Sequence, residues 1–458
     1  MAAAPSVVAV TTSVLWLRRD LRLTDHPALL AARDAADEVL PLFVLDDALL
    51  RHAGAPRRAF LFRCLRDLDD RTGGALRVAR GRPETVVPRI VQQAGATSVH
   101  ISSDHGPYGR CRDAAVAEAL GDVSLEALGS PYAVTPGTLT KADDAAYRVY
   151  TPFFRAWQER GVRAPAKTPR ILPWTDGGVN TVPIPADPDL GEVHLPEAGE
   201  RAALQRWRDF ADADLADYAK LRNRPAADST SQLSVYLKYG CLHPRTLLHD
   251  LGPGLGPAAY RREIAFRDFY ADVLWHRPDS ARCEVQDQMT GLAYDDGPGA
   301  EAKWQAWATG TTGFPIVDAG MRQLRGEAWM HNRLRMIVAS FLTKDLHLHW
   351  RRGSRLFMEL LRDGDLASNQ HGWQWVAGTG TDPSPYFRVF NPVKQGREHD
   401  PDGDYVRRWV PELRDVAGTA VHEPWLLPGG PPPGYPPPIV EHAKERTVAL
   451  RRYAEVRA

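Results

Sequence analysis

Apolar and β-branched residues in the first 131 positions concentrate in short strand-like runs at 6–17, 39–45, 76–79, 99–102 and 123–125. Runs of this length and composition suit strands, and the later half of the first reads as a buried one. Between them lie stretches with helical spacing at 27–36, 57–71, 84–93 and 110–120, and Gly95 and Gly121 stand just beyond two of them as stop signals. Strand and helix therefore alternate about five times, which predicts an α/β domain over residues 1–131, a parallel sheet with helices on both faces. In such a sheet a ligand crevice lies at the carboxyl ends of the strands, here near Asp46, Asp47, Ser103 and Asp104.

Residues 132–196 break this rhythm. Prolines recur, Gly177-Gly178 interrupts any periodicity, and only 152–160 reads as a short helix, so the segment is expected to wrap over the surface as a connection. From 197 to 458 the spacing turns helical, at 197–210, 211–222, 244–251, 258–275, 301–309, 315–325, 332–345, 350–361 and 439–456, with almost no competing strand pattern. The second domain is thus expected to be all-α. The Pro-Gly tract at 428–438 reads as a stiff connector before the last helix.

Composition narrows the partners little. The formal charge is zero, so any nucleic-acid site must come from a local patch. Thirteen tryptophans, most of them after Trp275, place the demand for aromatic surface in the helical half. Cys64, Cys111, Cys241 and Cys283 are far apart in sequence with no C-x-x-C pair, which fits a reducing compartment and argues against a disulfide framework or structural zinc. No basic leader and no apolar run of about eighteen residues is present, so a soluble, cytoplasmic, monomeric protein is expected.

Candidate chemistry concentrates in the helical half. The stretch Asp363-Gly-Asp-Leu-Ala-Ser-Asn-Gln-His-Gly-Trp-Gln-Trp375 combines two carboxylates, an amide and two tryptophans. On a helix Asn369 and Trp373 share a face while Trp375 is turned away, which suggests two clients. In Thr230-Ser-Gln-Leu-Ser234 three hydroxyls sit at a loop-to-helix junction; any one suits an N-cap, and together they suit a phosphate or pyrophosphate cradle. Glu263, Phe266, Arg267 and Tyr270 fall at i, i+3, i+4 and i+7, a face suited to an uncharged heterocycle with a phosphate nearby. Asn332, Arg335 and Met336 share another face, and Arg322, Arg325 and Arg333 offer a positive patch, with solvated helix charges as the plainer reading of the first two. Gly378-Thr-Gly380 follows no strand and lacks a third glycine, so it is no dinucleotide fingerprint. His347 and His349 point apart on a helix and lack a third ligand at standard spacing, so no metal is expected.

Taken together, Arg19-Asp-Leu-Arg-Leu-Thr-Asp-His26, the Thr230–Ser234 motif, Thr312-Gly-Phe-Pro-Ile-Val-Asp-Ala-Gly-Met-Arg-Gln-Leu324, Trp329-Met-His-Asn-Arg-Leu-Arg-Met336 and Asp363-Gly-Asp-Leu-Ala-Ser-Asn369 resemble the DNA photolyase and cryptochrome family over nearly the whole chain. The resemblance is strongest to cyclobutane pyrimidine dimer photolyases. It implies an α/β antenna domain, a helical domain that buries FAD, and light-driven repair of UV-damaged DNA by electron transfer from reduced flavin to a flipped-out dimer. By the same resemblance Tyr218, Thr230, Ser231, Leu233 and Ser234 contact the flavin phosphates and ribityl chain. Arg335 and Asp363 pair beside the isoalloxazine, Asp365 lies towards the ribose and adenine, and Asn369 faces flavin N5. Glu263, Asn332 and Met336 line the lesion pocket, Trp375 and Phe266 form its aromatic walls, and Arg222, Arg267 and Arg333 meet DNA phosphates. Trp373 and Trp350 match the inner members of an electron-transfer chain whose outer member is absent at its usual place, leaving Tyr294 or Trp304 as substitutes. Phe266 is a second departure, standing where dimer-repair members commonly carry tryptophan.

Two relatives of the leading function compete with it. A cryptochrome photoreceptor shares the flavin pocket, but Asn369 and the lack of a long tail after the last helix favour repair. A pyrimidine–pyrimidone photolyase usually carries histidine where Met336 stands. A plain nucleic-acid-binding protein would explain the arginines and aromatics but not Asn369 with the Asp363 and Arg335 pair. For a second, light-harvesting chromophore, Arg57 and the segment 102–110 lie where the family binds one; Ser103-Asp104 points to an 8-hydroxy-5-deazaflavin over methenyltetrahydrofolate.

Overall fold

Five strands, β1 (Thr12–Leu17), β2 (Glu38–Leu45), β3 (Arg77–Arg80), β4 (Ala96–Ile101) and β5 (Ser124–Ala127), form one parallel sheet in the order β3-β2-β1-β4-β5 in the computed structural model, which describes residues 10–169, 171–381 and 388–457. The start of the strand expected at 6–17 and part of the motif at 379–390 lie outside the described residues. Successive side chains alternate between two buried faces. Leu15, Leu17, Phe43, Leu45 and Val78 enter one apolar cluster, while Val14, Trp16, Leu42, Val44 and Ala79 enter another. Burial on both sides is why β1 and β2 read as largely apolar, whereas β5 at the sheet edge is mostly exposed.

The connecting segment is tied to the sheet as well as draped over it. Val39 N donates to Pro173 O at 2.8 Å, Thr175 N returns to Val39 O at 3.0 Å, and Val182 N reaches Val78 O at 2.8 Å. Within it the helix Tyr150–Arg160 packs Phe153 and Trp157 against Phe269 and Val273 of the long helix Leu255–His276.

The helical part departs from the sequence expectation in four places. The helix expected at 211–222 does not form; the preceding helix runs Glu200–Ala213 and only Tyr218–Leu221 is helical thereafter. Asp212, Asp214 and Asp217 crowd this stretch, and aspartate offers the backbone non-helical bonds. The helix expected at 332–345 is α-helical over Asn332–Ser340 and continues as a π turn over Phe341–Asp345. Two helices, Pro392–His399 and Asp404–Trp409, had no strong periodic signal. Thr312-Gly-Phe-Pro-Ile-Val-Asp318 is a structural knot: Asp318 accepts from Thr312 N and Oγ1 at 2.7 Å each, from Gly313 N at 3.1 Å and from Tyr435 Oη at 2.7 Å. That knot fastens the Pro-Gly tract before the last helix, His442–Arg457.

The two halves share one core. The cluster that holds Leu15 and Phe43 runs on through Phe60 and Leu65 to Trp207, Leu233, Tyr236 and Tyr260 of the helical half. Polar bonds cross the same boundary: Leu21 N donates to Tyr239 O at 3.1 Å, and Arg19 Nη2 reaches Asp365 Oδ2 at 2.7 Å. Gly240, at φ +68°, lies so close to Arg19 that an added Cβ would stand 1.9 Å from its carbonyl oxygen, so only glycine allows this approach. Cys64 and Cys241, distant in sequence, are buried free thiols with their sulfurs 3.5 Å apart across this boundary. No helix among the described residues is long and apolar enough to cross a membrane.

Candidate functional site

A cavity of about 590 Å³ opens between the helices Leu255–His276, Asn332–Ser340 and Leu366–Ala377 and the loop that precedes the helix Ser234–Tyr239. This is within the range of ligand pockets, about 300–1,000 Å³. Its lining grades from buried groups such as Leu233, Asp363 and Trp373 to half-buried ones such as Phe266, Met336 and Trp375, with Asn332 exposed.

The hydroxyl loop forms one wall. The N-cap of the helix Ser234–Tyr239 is Leu233, with no side-chain cap, so none of the three hydroxyls performs the capping role that each suited. Ser231 Oγ meets Tyr260 Oη at 3.0 Å, and Ser234 Oγ donates to Asp363 Oδ2 at 2.6 Å. The loop is held from behind: Arg206 donates to the carbonyls of Ser231 and Thr230 at 2.9 and 3.1 Å. Gln232 takes φ +50°, a costly value for a non-glycine residue, and Arg362 pins its Oε1 at 3.0 Å. Tyr218 lies edge-on to Tyr260 at 5.3 Å and completes this end.

The helix Leu366–Ala377 supplies the opposite wall. Asp365 caps it by accepting from Ser368 N at 3.1 Å through Oδ1, while its Oδ2 holds Arg19. Both oxygens are thereby engaged within the protein. Burial alone would raise this carboxyl, but Arg19, Lys238 and Arg267 outweigh it and hold it well below the usual range. Asp363, 2% exposed, receives Arg335 Nη2 at 2.8 Å on the oxygen that also binds Ser234. Its other oxygen, Oδ1, is buried with no hydrogen-bond partner among the described residues. Asn369 uses its amide hydrogens on Ser354 O at 3.1 Å and Gln370 Oε1 at 2.9 Å, so its own Oδ1 remains an acceptor for the cavity.

At the open end Glu263 forms an ion pair with Arg222, both about a third exposed. Phe266 lines the cavity and is backed by Tyr150, whose ring stacks on it at 3.5 Å with a 7° tilt. Tyr150 thus thickens the wall at the position where the sequence carries the smaller ring. Arg333 donates to Asn223 Oδ1 at 2.8 Å beside Asn332 and Met336. Three arginines correct the sequence expectation. Arg267 donates to the carbonyls of Pro131 and Leu237 at 2.8 and 3.1 Å and covers the Tyr132 ring, so it braces the two halves and is not presented to an outside phosphate. Arg322 makes a two-pronged pair with Glu412 at 2.7 and 3.1 Å, and Arg325 binds Ala308 O at 2.7 Å, which removes both from the positive patch.

Comparison with known proteins bears on this arrangement. Residues 13–170 match the family described as DNA photolyase, and residues 260–455 match the FAD binding domain of DNA photolyase. The deoxyribodipyrimidine photo-lyase of Streptomyces griseus is 43% identical over 95% of this chain and 98% of its own. The chain belongs to the DNA photolyase family. A solved class III photolyase from Agrobacterium tumefaciens superposes with a TM-score of 0.93 at 35% identity over 100% of both chains. The Synechocystis cryptochrome superposes at 0.87 with 26% identity, over 97% of this chain and 99% of that one.

The residues present fit the photolyase family's FAD. The uncapped hydroxyls, the unpartnered Asp363 Oδ1 and the free Asn369 Oδ1 all face one cavity, and a Cβ at Gly372 would meet nothing within 4 Å. Outside the cavity lie three aromatic residues expected in electron transfer. Trp350 is fully buried and opens the helix Trp350–Leu360, whose Gly353 approaches Trp373 so closely that an added Cβ would lie 2.1 Å from Cη2. Tyr294 packs on His349 at 4.4 Å. Trp304 stacks on Trp307 at 5.3 Å, and Trp307 meets Trp373 edge-on at 6.1 Å. His347 and His349 have carboxylate neighbours, Glu445 and Glu284, at 2.7 and 3.5 Å.

Tyr150, Tyr260, Arg206, Arg362, Trp307 and the role of Arg19 as the partner of Asp365 escaped the sequence reading. Each acts through contacts distant in the chain; only Arg19, as the first residue of a recognised motif, carried a local signal. In the segment at 102–110 Asp104 pairs with Arg112 at 3.2 Å and Tyr108 Oη bonds Asp46 at 2.5 Å, while both ring nitrogens of buried His105 lack a hydrogen-bond partner among the described residues. Arg57 donates to His52 O at 2.7 Å and to the carbonyl of Met358 in the helical half.

Proposed function

We propose that this protein repairs cyclobutane pyrimidine dimers in DNA under blue light with reduced FAD held in the cavity described above. The observation that carries the reading is that one cavity joins the Thr230–Ser234 hydroxyls and the Asp363–Arg335 pair at one end to aromatic rings and a carboxylate at the other. When bound, photoexcited reduced FAD supplies the electron that opens the dimer and accepts it again. The chain's own residues do the rest. Tyr218, Thr230, Ser231, Leu233 and Ser234 hold the phosphate and ribityl portion. Arg335 and Asp363 set a fixed positive and negative charge beside the ring system, and Asn369 Oδ1 accepts from it. Asp365, bonded to Ser368 and Arg19, supports this end by fixing the helix start.

At the open end Phe266 and Trp375 sandwich the flipped bases, a contact on the order of 1–3 kcal/mol per base. Asn332 and Met336 shape the pocket, while Glu263 stabilises the dimer carrying the extra electron. Arg222 and Arg333 are placed for the flanking phosphates. Met336, which cannot donate a proton, disfavours the pyrimidine–pyrimidone alternative. A photoreceptor without repair is the second reading, because the cryptochrome fold is shared. A light-harvesting chromophore of the 8-hydroxy-5-deazaflavin type belongs to the proposal too, and absorption bands of the purified protein beyond those of flavin would reveal it.

The test is an oligonucleotide with a single thymine dimer, mixed with reduced, flavin-loaded protein under blue light. Thymines should be restored in the light and not in the dark. Intact dimers despite bound flavin would sink the repair reading and leave the photoreceptor in its place.

A further inference from the structure

Two aromatic routes lead away from Trp373, and their surroundings differ in a way that matters for the loss of an electron. On one side the Trp373 ring abuts Gly353 in the helical turn that begins at Trp350, and on the other it meets Trp307, which stacks on Trp304. Trp307 donates its indole hydrogen to Val338 O at 2.9 Å, a carbonyl that cannot keep a proton. Trp304 lies under the guanidinium of Arg352 at 4.5 Å, and a cation on the ring face opposes oxidation of that ring; Glu301, 2.6 Å from Arg352, offsets part of this. Trp350 is different. Its Nε1 donates to Glu284 Oε1 at 3.0 Å, and the Glu284 side chain is only 10% exposed.

Glu284 is also built into place. Gln374, between the two tryptophans of the cavity helix, accepts from Val285 N at 2.8 Å and donates to Ser280 O and Cys283 O at 2.8 and 3.1 Å. The loop that carries Glu284 is thereby bolted to the helix that carries Trp373.

We propose that Glu284 is the proton acceptor for Trp350 when this indole gives up an electron towards the cofactor cavity, so that the electron vacancy settles on Trp350. The inference rests on the flavin-dependent reading above. With oxidised flavin bound as the one-electron acceptor under light, an electron leaving Trp373 inward would be replaced by one from Trp350. Oxidised Trp350 is a strong N–H acid, and its proton passes to Oε1, leaving a neutral indole radical and a carboxylic acid. A thiol reductant in solution later returns one electron to Trp350, and Glu284 returns the proton.

The groups around Glu284 agree with this direction. His349 Nδ1 accepts from Arg351 N at 3.2 Å, and its Nε2 is 3.5 Å from Glu284. Burial, with Arg351 and Arg355 nearby, lowers the His349 pKa despite Glu284, so a competing positive charge is disfavoured there. Tyr294 lies beyond His349, but its hydroxyl is buried with no hydrogen-bond partner among the described residues. A phenol must shed its proton on oxidation, and among the described residues no acceptor is hydrogen-bonded to Tyr294. The vacancy therefore stops at Trp350.

The experiment follows indole-radical absorption after a blue flash on the flavin-loaded full chain, in H2O and D2O, with an infrared difference spectrum. The native chain should convert a cationic to a neutral indole radical with a solvent isotope effect and gain a carboxylic-acid band. Glu284→Gln should keep normal flavin content, lose that band and lose the radical about tenfold faster, a barrier change of roughly 1.4 kcal/mol. Glu284→Asp should restore the band and part of the lifetime, and is the variant to read if Glu284→Gln sheds flavin. Trp350→Phe should abolish the long-lived radical and Trp307→Phe should not. Deprotonation at the native rate in Glu284→Gln, or a radical that survives Trp350→Phe but not Trp307→Phe, overturns the assignment. Dimer repair by chemically reduced protein is scored separately, so failure of the repair reading is distinguishable from failure of this one.

Discussion

Replacing Glu263 with alanine is expected to lower dimer repair on the order of 10²-fold, the scale of removing one preorganised electrostatic contact from a reacting centre, while flavin content stays within about twofold of the native protein. Glu263 sits on the face of the long helix that looks into the open end of the cavity, and its ion-pair partner among the described residues is Arg222. Nothing it bonds belongs to the hydroxyl loop or to the Asp363 pair. Its loss therefore frees Arg222 and removes a negative group from the lesion end without touching the buried end. Repair yield per absorbed photon, measured beside flavin absorbance, checks this; equal loss of both would contradict its place at the lesion end.

Removing the positive partner of Asp363 should act in the opposite sense, on the protein and its cofactor together. Arg335→Met leaves a carboxylate 2% exposed with Ser234 as its remaining strong partner. Stranding a buried charge costs about 3–5 kcal/mol, and the lower end applies because the Arg335 side chain is 26% exposed. We expect a loss of about 3 kcal/mol in denaturant unfolding and failure to retain flavin on gel filtration. The pair also predicts a pH dependence. Burial pushes the Asp363 carboxyl up, but Arg335, Ser234 and Arg362 outweigh burial and hold it below its ordinary value. Its contribution is thus complete above the unfolded carboxylate range, near about 3.9, and is lost as the pH falls through the lower folded value. Native protein should lose stability on acidification in this window, and Arg335→Met should lose less over the same interval.

How much of this was readable beforehand divides along contact range. The β1 and β2 runs were legible because both faces of each strand are buried, so apolar residues dominate them. The shared faces of Glu263 with Phe266 and of Asn332 with Met336 were legible because helical spacing alone brings such residues together, and all four line the cavity. The hydroxyls at Thr230, Ser231 and Ser234 were readable as a cluster, but their freedom from capping depends on Leu233 taking the N-cap position, which composition does not reveal. Arg267 misled because an arginine facing a cavity in sequence looks the same whether its fork meets a phosphate or two carbonyls. Trp373 and Trp375 were expected to serve opposite sides; both line one cavity that wraps the helix, with Trp373 buried and Trp375 half-exposed. Tyr150 behind Phe266 and Glu284 beneath Trp350 are pairings across 116 and 66 positions, and no local pattern encodes them.

The Arg19–Asp365 pair bears on how chains of this kind diverge. Asp365 starts the helix that carries Asn369, Trp373 and Trp375, yet the first of the cations that hold it ionised is Arg19, two residues beyond β1. An exchange of the N-terminal half by recombination along the connecting segment would have to deliver a cation to that same point, together with an apolar surface to meet Trp207 and Tyr236. The two halves therefore have to be exchanged as matched partners, and the connecting segment, bonded to Val39 and Val78 of the sheet, belongs to the match.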